Sequence, residues 1–291
     1  MPVRRAFRII PNSTGHPVAV NSWKTLTLAP AVVPRVELAA SIAEHMMTTL
    51  FGGTPEIIEA WRNKRLHGKP HPDPAITAQL EDIVSRQIRL PTQPIRTLNP
   101  NGRYGGQEKL DHLEGFVAEH LWHLATQHNV HSAPHVHLLP VSFRVTDSGS
   151  DGFAIYEPQP GQYQYRLWEI KKNSTGRNPR PTAVKACEQL TSNATYYLQE
   201  ISKRGEHEPD PGLKAFYSKI VFHWRGNTDE ANAGVALVVD RGVMGKNPFD
   251  MLGTTALPGL AGEDRLHGLL VEVEDVRAFA EEVRQVIWSG L

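Results

Sequence analysis

The chain has 291 residues, room for one large domain or two small ones, and its 40% apolar and 21% charged residues are the balance of a globular protein. Lys+Arg and Asp+Glu are equal at 31 each, so no overall basicity announces a polyanionic partner, and such a partner would be met by a local patch. Cys187 is the one cysteine, which excludes an intramolecular disulfide and fits a reducing cytoplasm. Pro11, Asn12 and Gly15 break the first apolar stretch, so no signal peptide is expected, and no uninterrupted apolar run reaches the roughly 18 residues of a membrane span.

Arg4 to Pro30 is short and mixed and predicts one or two strands. Pro34 to Phe51 has helical spacing and runs into Gly52-Gly53, a C-cap signal. Thr54-Pro55 then opens a second helix through Arg65, with Thr54 as N-cap and Pro55 in the first turn. Ala75 to Arg89 reads as a third helix. The run Leu90 to Gly106 is dense in Pro, Gly and Asn and marks the expected boundary, with 1–106 a mainly helical N-terminal extension and 107–291 an α/β core. No recognisable chemistry lies before that boundary.

Gln107 to His128 is an amphipathic helix, with Leu113, Val117, Leu121, Leu124 and Ala125 on one stripe at about 100° per residue. Glu114 falls inside the stripe and Glu119 on the opposite side. A carboxylate on a buried face must be paired or bound to metal, so Glu114 is a candidate for function. Glu119 is the alternate. His112, His120, His123, His128, His131, His135 and His137 are half of the fourteen histidines, a density that raises zinc. The order Glu119-His120-Leu121-Trp122-His123 is nevertheless not the H-E-x-x-H of a zincin.

Pro134 to Val145 predicts a strand. Asp151 to Lys172 then reads as a β-hairpin, two aromatic and branched runs joined by Pro158-Gln159-Pro160-Gly161. With the turn centred near Pro160, facing residues have numbers that sum to about 320, which sets Asp151 opposite Glu169. Alternation places Glu169 and Lys171 on one face and Trp168 and Ile170 on the other. Two carboxylates that meet this closely repel unless a cation lies between them. Mg²⁺ suits them, since it takes carboxylate oxygens and keeps waters for substrate phosphates. Lys171 would then steady a developing negative charge. The bland alternative is an ordinary cross-strand salt bridge.

Lys172, Arg177 and Arg180 lie in or beside the polar loop that follows, which either holds phosphates or is merely solvated. Thr182 to Lys203 predicts a helix with Thr182 as N-cap and Cys187 on its apolar side. Phe216 to Trp224, Gly234 to Asp240 and Leu266 to Val273 predict three strands, the last two central because they are mostly apolar. Glu274 to Trp288 closes as a helix. Gly242 to Asn247 lacks the spacing and the Ser/Thr of a phosphate-binding loop, and no G-x-S-x-G elbow occurs.

Asp151 followed by Glu169-Ile170-Lys171 resembles the D…ExK core of the PD-(D/E)xK nuclease superfamily, over roughly Leu110 to Lys203. That resemblance implies a restriction-endonuclease-like α/β core, a mixed sheet flanked by helices, with Asp151, Glu169 and Glu114 holding Mg²⁺ or Mn²⁺ and Lys171 assisting attack on DNA. More loosely, the layout resembles effector nucleases of prokaryotic antiviral defence such as the Hachiman type, which implies a helicase or ATPase partner. Two other readings stay open: a non-catalytic nucleic-acid- or protein-binding module on the same fold, and a His-rich zinc hydrolase.

Overall fold

The computed structural model describes residues 7–11, 23–30, 34–87, 107–128, 134–141, 151–174, 178–242, 248–249, 252, 257–260 and 265–291. Its strands are β1 (Phe7–Pro11), β2 (Lys24–Pro30), β3 (His135–Leu138), β4 (Gly152–Gln159), β5 (Gln162–Asn173), β6 (Ala231–Asp240) and β7 (Leu266–Val273). They form one seven-stranded sheet in the order β1-β2-β7-β6-β5-β4-β3. The β2–β7, β7–β6 and β6–β5 pairs are parallel, whereas β1–β2, β5–β4 and β4–β3 are antiparallel. The chain is thus α/β with a mixed sheet. β6 lies at the centre and is apolar almost throughout, because a strand covered on both faces has no side to give to polar residues.

The helices are α1 (Arg35–Phe51), α2 (Pro55–His67), α3 (Pro74–Asp82), α4 (Gln107–Gln127), α5 (Arg180–Arg204), α6 (Pro211–Tyr217), α7 (Ile220–Gly226) and α8 (Val276–Ser289). They cover two faces. On one, α1, α4 and α8 pack against Trp168, Ile170, Ala236, Val238 and Val271. On the other, α5, α6 and α7 pack against Tyr165, Leu167, Val235, Leu237 and Leu270. Side chains of β5 with even numbers therefore look toward α4, and those with odd numbers toward α5. This division decides which carboxylates can meet.

The expected connector at 90–106 lies outside the described residues. On either side of it the packing is continuous. β1 and β2 are two strands of the sheet, and α1 lies on α8 and α4. Arg35 adds an ion pair with Glu282, and Trp61 Nε1 donates to Ile287 O at 2.8 Å.

Three local expectations need correction. Residues 216–224 are not a strand; they belong to α6 and α7. Asp210 caps α6 by accepting from Leu213 N at 2.6 Å, and Asn227 ends α7 in the left-handed region at φ 52°. Leu213, Phe216, Tyr217 and Ile220 are buried at helical spacing, a period that their aromatic and branched composition hides. The third helix stops at Asp82 and continues as a π-helical turn, Ile83–Gln87. Thr182 lies inside the first turn of α5, whose N-cap is Pro179. Cys187 is buried among apolar neighbours, as packing requires. Among the described residues no helix is long and apolar enough to cross a membrane.

Candidate active site

The β4–β5 hairpin has the register set by its turn. Gly152 faces Trp168, Phe153 faces Leu167 and Ala154 faces Arg166. Gly161 supplies the left-handed residue of the turn at φ 76°, and its N–H donates to Glu157 Oε1 at 2.7 Å. Asp151, one residue before β4, thereby reaches β5 beside Glu169. Its Oδ2 accepts from Ile170 N at 2.7 Å and from Lys171 Nζ at 3.2 Å. Lys171 Nζ also lies 2.5 Å from Glu169 Oε1. Asp151, Glu169 and Lys171 are thus brought together on the α5 side of the sheet.

Electrostatics follow from that closeness. Burial, reinforced by the Asp151 charge, pushes the Glu169 carboxyl up to about 7. Burial raises Asp151 as well, and Lys171 with the Ile170 N–H only partly opposes it. Burial would lower the Lys171 ammonium, but the carboxylates of Asp151 and Glu169 outweigh it and raise it. Glu169 is 1% exposed, and its second oxygen, Oε2, is buried without a hydrogen-bond partner. A buried carboxylate oxygen with nothing to accept from is costly to leave so, and it is an observation that a ligand would explain.

α5 adds a feature that the sequence reading did not find. The Tyr197 phenol is raised by burial and then by Glu169, which sets it within electrostatic reach of the acid pair. Asn193 Nδ2 donates to Tyr197 Oη at 3.3 Å. α5 thus pairs Asn193 with Tyr197, two polar groups four apart on a largely apolar helix face. That spacing was the available signal.

Glu114 is not brought to this cluster. It is 1% exposed, on α4, and its carboxylate accepts from Lys172 Nζ at 2.6 Å, Ser174 Oγ at 2.5 Å and Arg277 Nε at 3.0 Å. Lys172 has the opposite parity to Glu169 on β5, so Glu114 and the acid pair lie on opposite faces of the sheet. The helical periodicity shows correctly that Glu114 turns inward, but one helix alone cannot show which side of a two-sided sheet it meets. Glu119 is partly exposed on the same helix. Lys172, expected to hold phosphate, is engaged by Glu114 instead. Arg180 opens α5, its N–H donating to Asn178 Oδ1 at 3.0 Å, and Arg177 lies outside the described residues.

The histidines form a different structure. His45 on α1 stacks on His123 at 4.7 Å between ring centroids and meets His120 edge-on at 5.1 Å. His120 is fully buried with neither ring nitrogen partnered. Among the described residues no group of three or more His, Cys, Asp or Glu side chains is arranged to hold a metal ion. A closed zinc centre needs such a group, but Mg²⁺ does not, since it binds through one or two carboxylates plus waters and substrate phosphates. Asp151 and Glu169, with the unpartnered Oε2, fit an ion of that second kind. Comparison with protein-family models and with curated proteins finds no match to the chain.

Proposed function

We propose that this chain is a metal-dependent nuclease that hydrolyses DNA phosphodiester bonds on a restriction-endonuclease-like core. The observation that supports the reading best is the meeting of Asp151, Glu169 and Lys171 around a buried carboxylate oxygen with no partner. Asp151 and Glu169 would hold Mg²⁺ or Mn²⁺, which lowers the pKa of its bound water and draws charge from the non-bridging phosphate oxygens. Lys171 supplies a positive charge beside the acid pair, able to steady the charge that develops on the phosphate or to orient the attacking water. The Ile170 N–H fixes Asp151, so this carboxylate needs no reorganisation when substrate arrives. With 31 acidic and 31 basic residues, DNA would be bound by local contacts rather than by a global field. A helicase or ATPase partner in prokaryotic antiviral defence is the setting in which such an activity would serve.

The test is incubation of plasmid, linear DNA and RNA with Mg²⁺, Mn²⁺ or EDTA, for the wild-type chain, Glu169→Gln and Lys171→Ala. Cleavage of DNA that needs metal and disappears in both variants is the expected result. Cleavage that survives Glu169→Gln would take the chemistry away from this carboxylate, and DNA bound but left intact in the presence of metal would replace the enzyme with a binding module.

A further inference from the structure

We propose that Lys171 is a resident cation that a metal ion must displace, so that metal binding and release of the lysine are one event. The inference rests on the metal-dependent reading above and says how that site is held inactive.

The geometry assigns one place to two cations. Lys171 Nζ lies 2.5 Å from Glu169 Oε1 and 3.2 Å from Asp151 Oδ2, between the two carboxylates that would hold a divalent ion. An ammonium and a divalent ion cannot both sit there, because their repulsion in a buried site is not screened by water. The lysine can leave. Its side chain is 26% exposed, and its unbranched stem lets the ammonium move while the backbone of β5 stays paired with β6. Asp151 cannot follow it, because the Ile170 N–H holds Oδ2 at 2.7 Å. Glu169 Oε2, unpartnered, offers the entering ion a ligand that the lysine does not occupy. In the resting chain the lysine offsets part of the charge of the acid pair. After the exchange it is free to face the phosphate and the attacking water, which is where its charge is useful.

Two measurements made without DNA test this, so loss of the exchange and loss of cleavage remain separate results. The first is acylation of lysine amines followed by peptide mass spectrometry in EDTA and in Mn²⁺, with exposed Lys185 as the internal reference. Lys171 is expected to react about tenfold faster with Mn²⁺ present, the size set by losing charge-assisted hydrogen bonds. The second is calorimetric Mn²⁺ binding, expected about tenfold tighter in Lys171→Met than in the wild type, since a competing cation is gone. Mn²⁺ bound by the wild type with Lys171 reactivity unchanged or reduced overturns the exchange and leaves the metal site standing, as does Mn²⁺ bound no more tightly by Lys171→Met. No Mn²⁺ bound by either protein overturns both. Should Lys171→Met fail to fold, the labelling of the wild-type chain decides alone.

Discussion

Glu114 and Glu169 are equally buried, each 1% exposed, on opposite faces of one sheet, and their surroundings differ in kind. Glu114 accepts from an ammonium, a hydroxyl and a guanidinium, donated by the end of β5, the residue after it and the start of α8. Both of its oxygens are used. Glu169 has one lysine, shared with Asp151, and an oxygen with no partner. Burial of a carboxylate therefore does not by itself mark a site. What separates the two is residual binding capacity: Glu114 is a finished structural joint, and Glu169 is left able to take a further cation.

The largest expected effect lies on the unfinished side. Glu169→Gln keeps the shape and removes the charge, and DNA cleavage should fall by at least ~10³-fold, about 4 kcal/mol of transition-state stabilisation. On the finished side the effect should appear in stability. Glu114→Gln weakens three charge-assisted or polar contacts at once and removes the carboxylate that faces Lys172 and Arg277, so unfolding free energy in urea should drop by about 3 kcal/mol. If instead Glu114→Gln folds as stably as the wild type and only cleavage is lost, the division between joint and site is wrong, and Glu114 belongs to the chemistry after all.

That division was half legible in the sequence. The hairpin register followed from Pro160-Gly161 and alternation alone, since turn position fixes which residues face each other across two antiparallel strands. β6, β7 and α8 were equally plain from apolar runs and periodicity. The pairing of Glu114 was not, because the ammonium of Lys172 and the guanidinium of Arg277 reach it from elements 58 and 163 residues away. Glu169 and Lys172 differ in parity by one step of the strand, and that step separates the faces. Residues 216–224 misled for a different reason: aromatic and branched residues favour strands, yet Asp210, Pro211 and the spacing of the buried residues overrule them. Long-range pairing and tertiary override are the two things that a local reading does not contain.

The histidines between α1 and α4 extend the comparison to a third buried polar group, one with neither counter-ion nor complete hydrogen bonding. Burial, then His128, lowers His45 to about 4, and burial, then His45 and His135, lowers His123 to about 3. Burial, then His45 and His123, holds His120 down as well. The folded chain keeps these rings neutral while the unfolded chain protonates them near 6.5, so their contribution is complete above pH 6.5 and is lost as pH falls toward 4. From these three rings, unfolding free energy in urea at pH 7.5 and 5.5 should differ by about 4 kcal/mol, roughly 1.4 for each, and His120→Phe should reduce the difference. A flat profile would mean that the cluster is hydrated.

Glu169 titrates in the same range with a different consequence. Because its carboxyl is raised to about 7, a metal ion must expel a proton to use it at lower pH. Mn²⁺ affinity measured by calorimetry should fall about tenfold per pH unit below 7 and level off above it, and the proton released should scale with buffer ionisation enthalpy.

The smallest effect is the most discriminating. Replacing a buried carboxylate normally costs several kcal/mol, as expected for Glu114, but Glu169→Gln should leave stability at pH 8 within about 1 kcal/mol of the wild type. Its amide oxygen still accepts from Lys171, while the repulsion with Asp151, which contributes to raising Glu169, is removed. Two nearly offsetting changes are what a site held ready for a cation predicts, since the acid pair is retained at the expense of stability rather than for it. A loss near that of Glu114→Gln in the same urea titration would show that Glu169 is already fully satisfied by Lys171, and the case for a vacant ligand oxygen would fall with it.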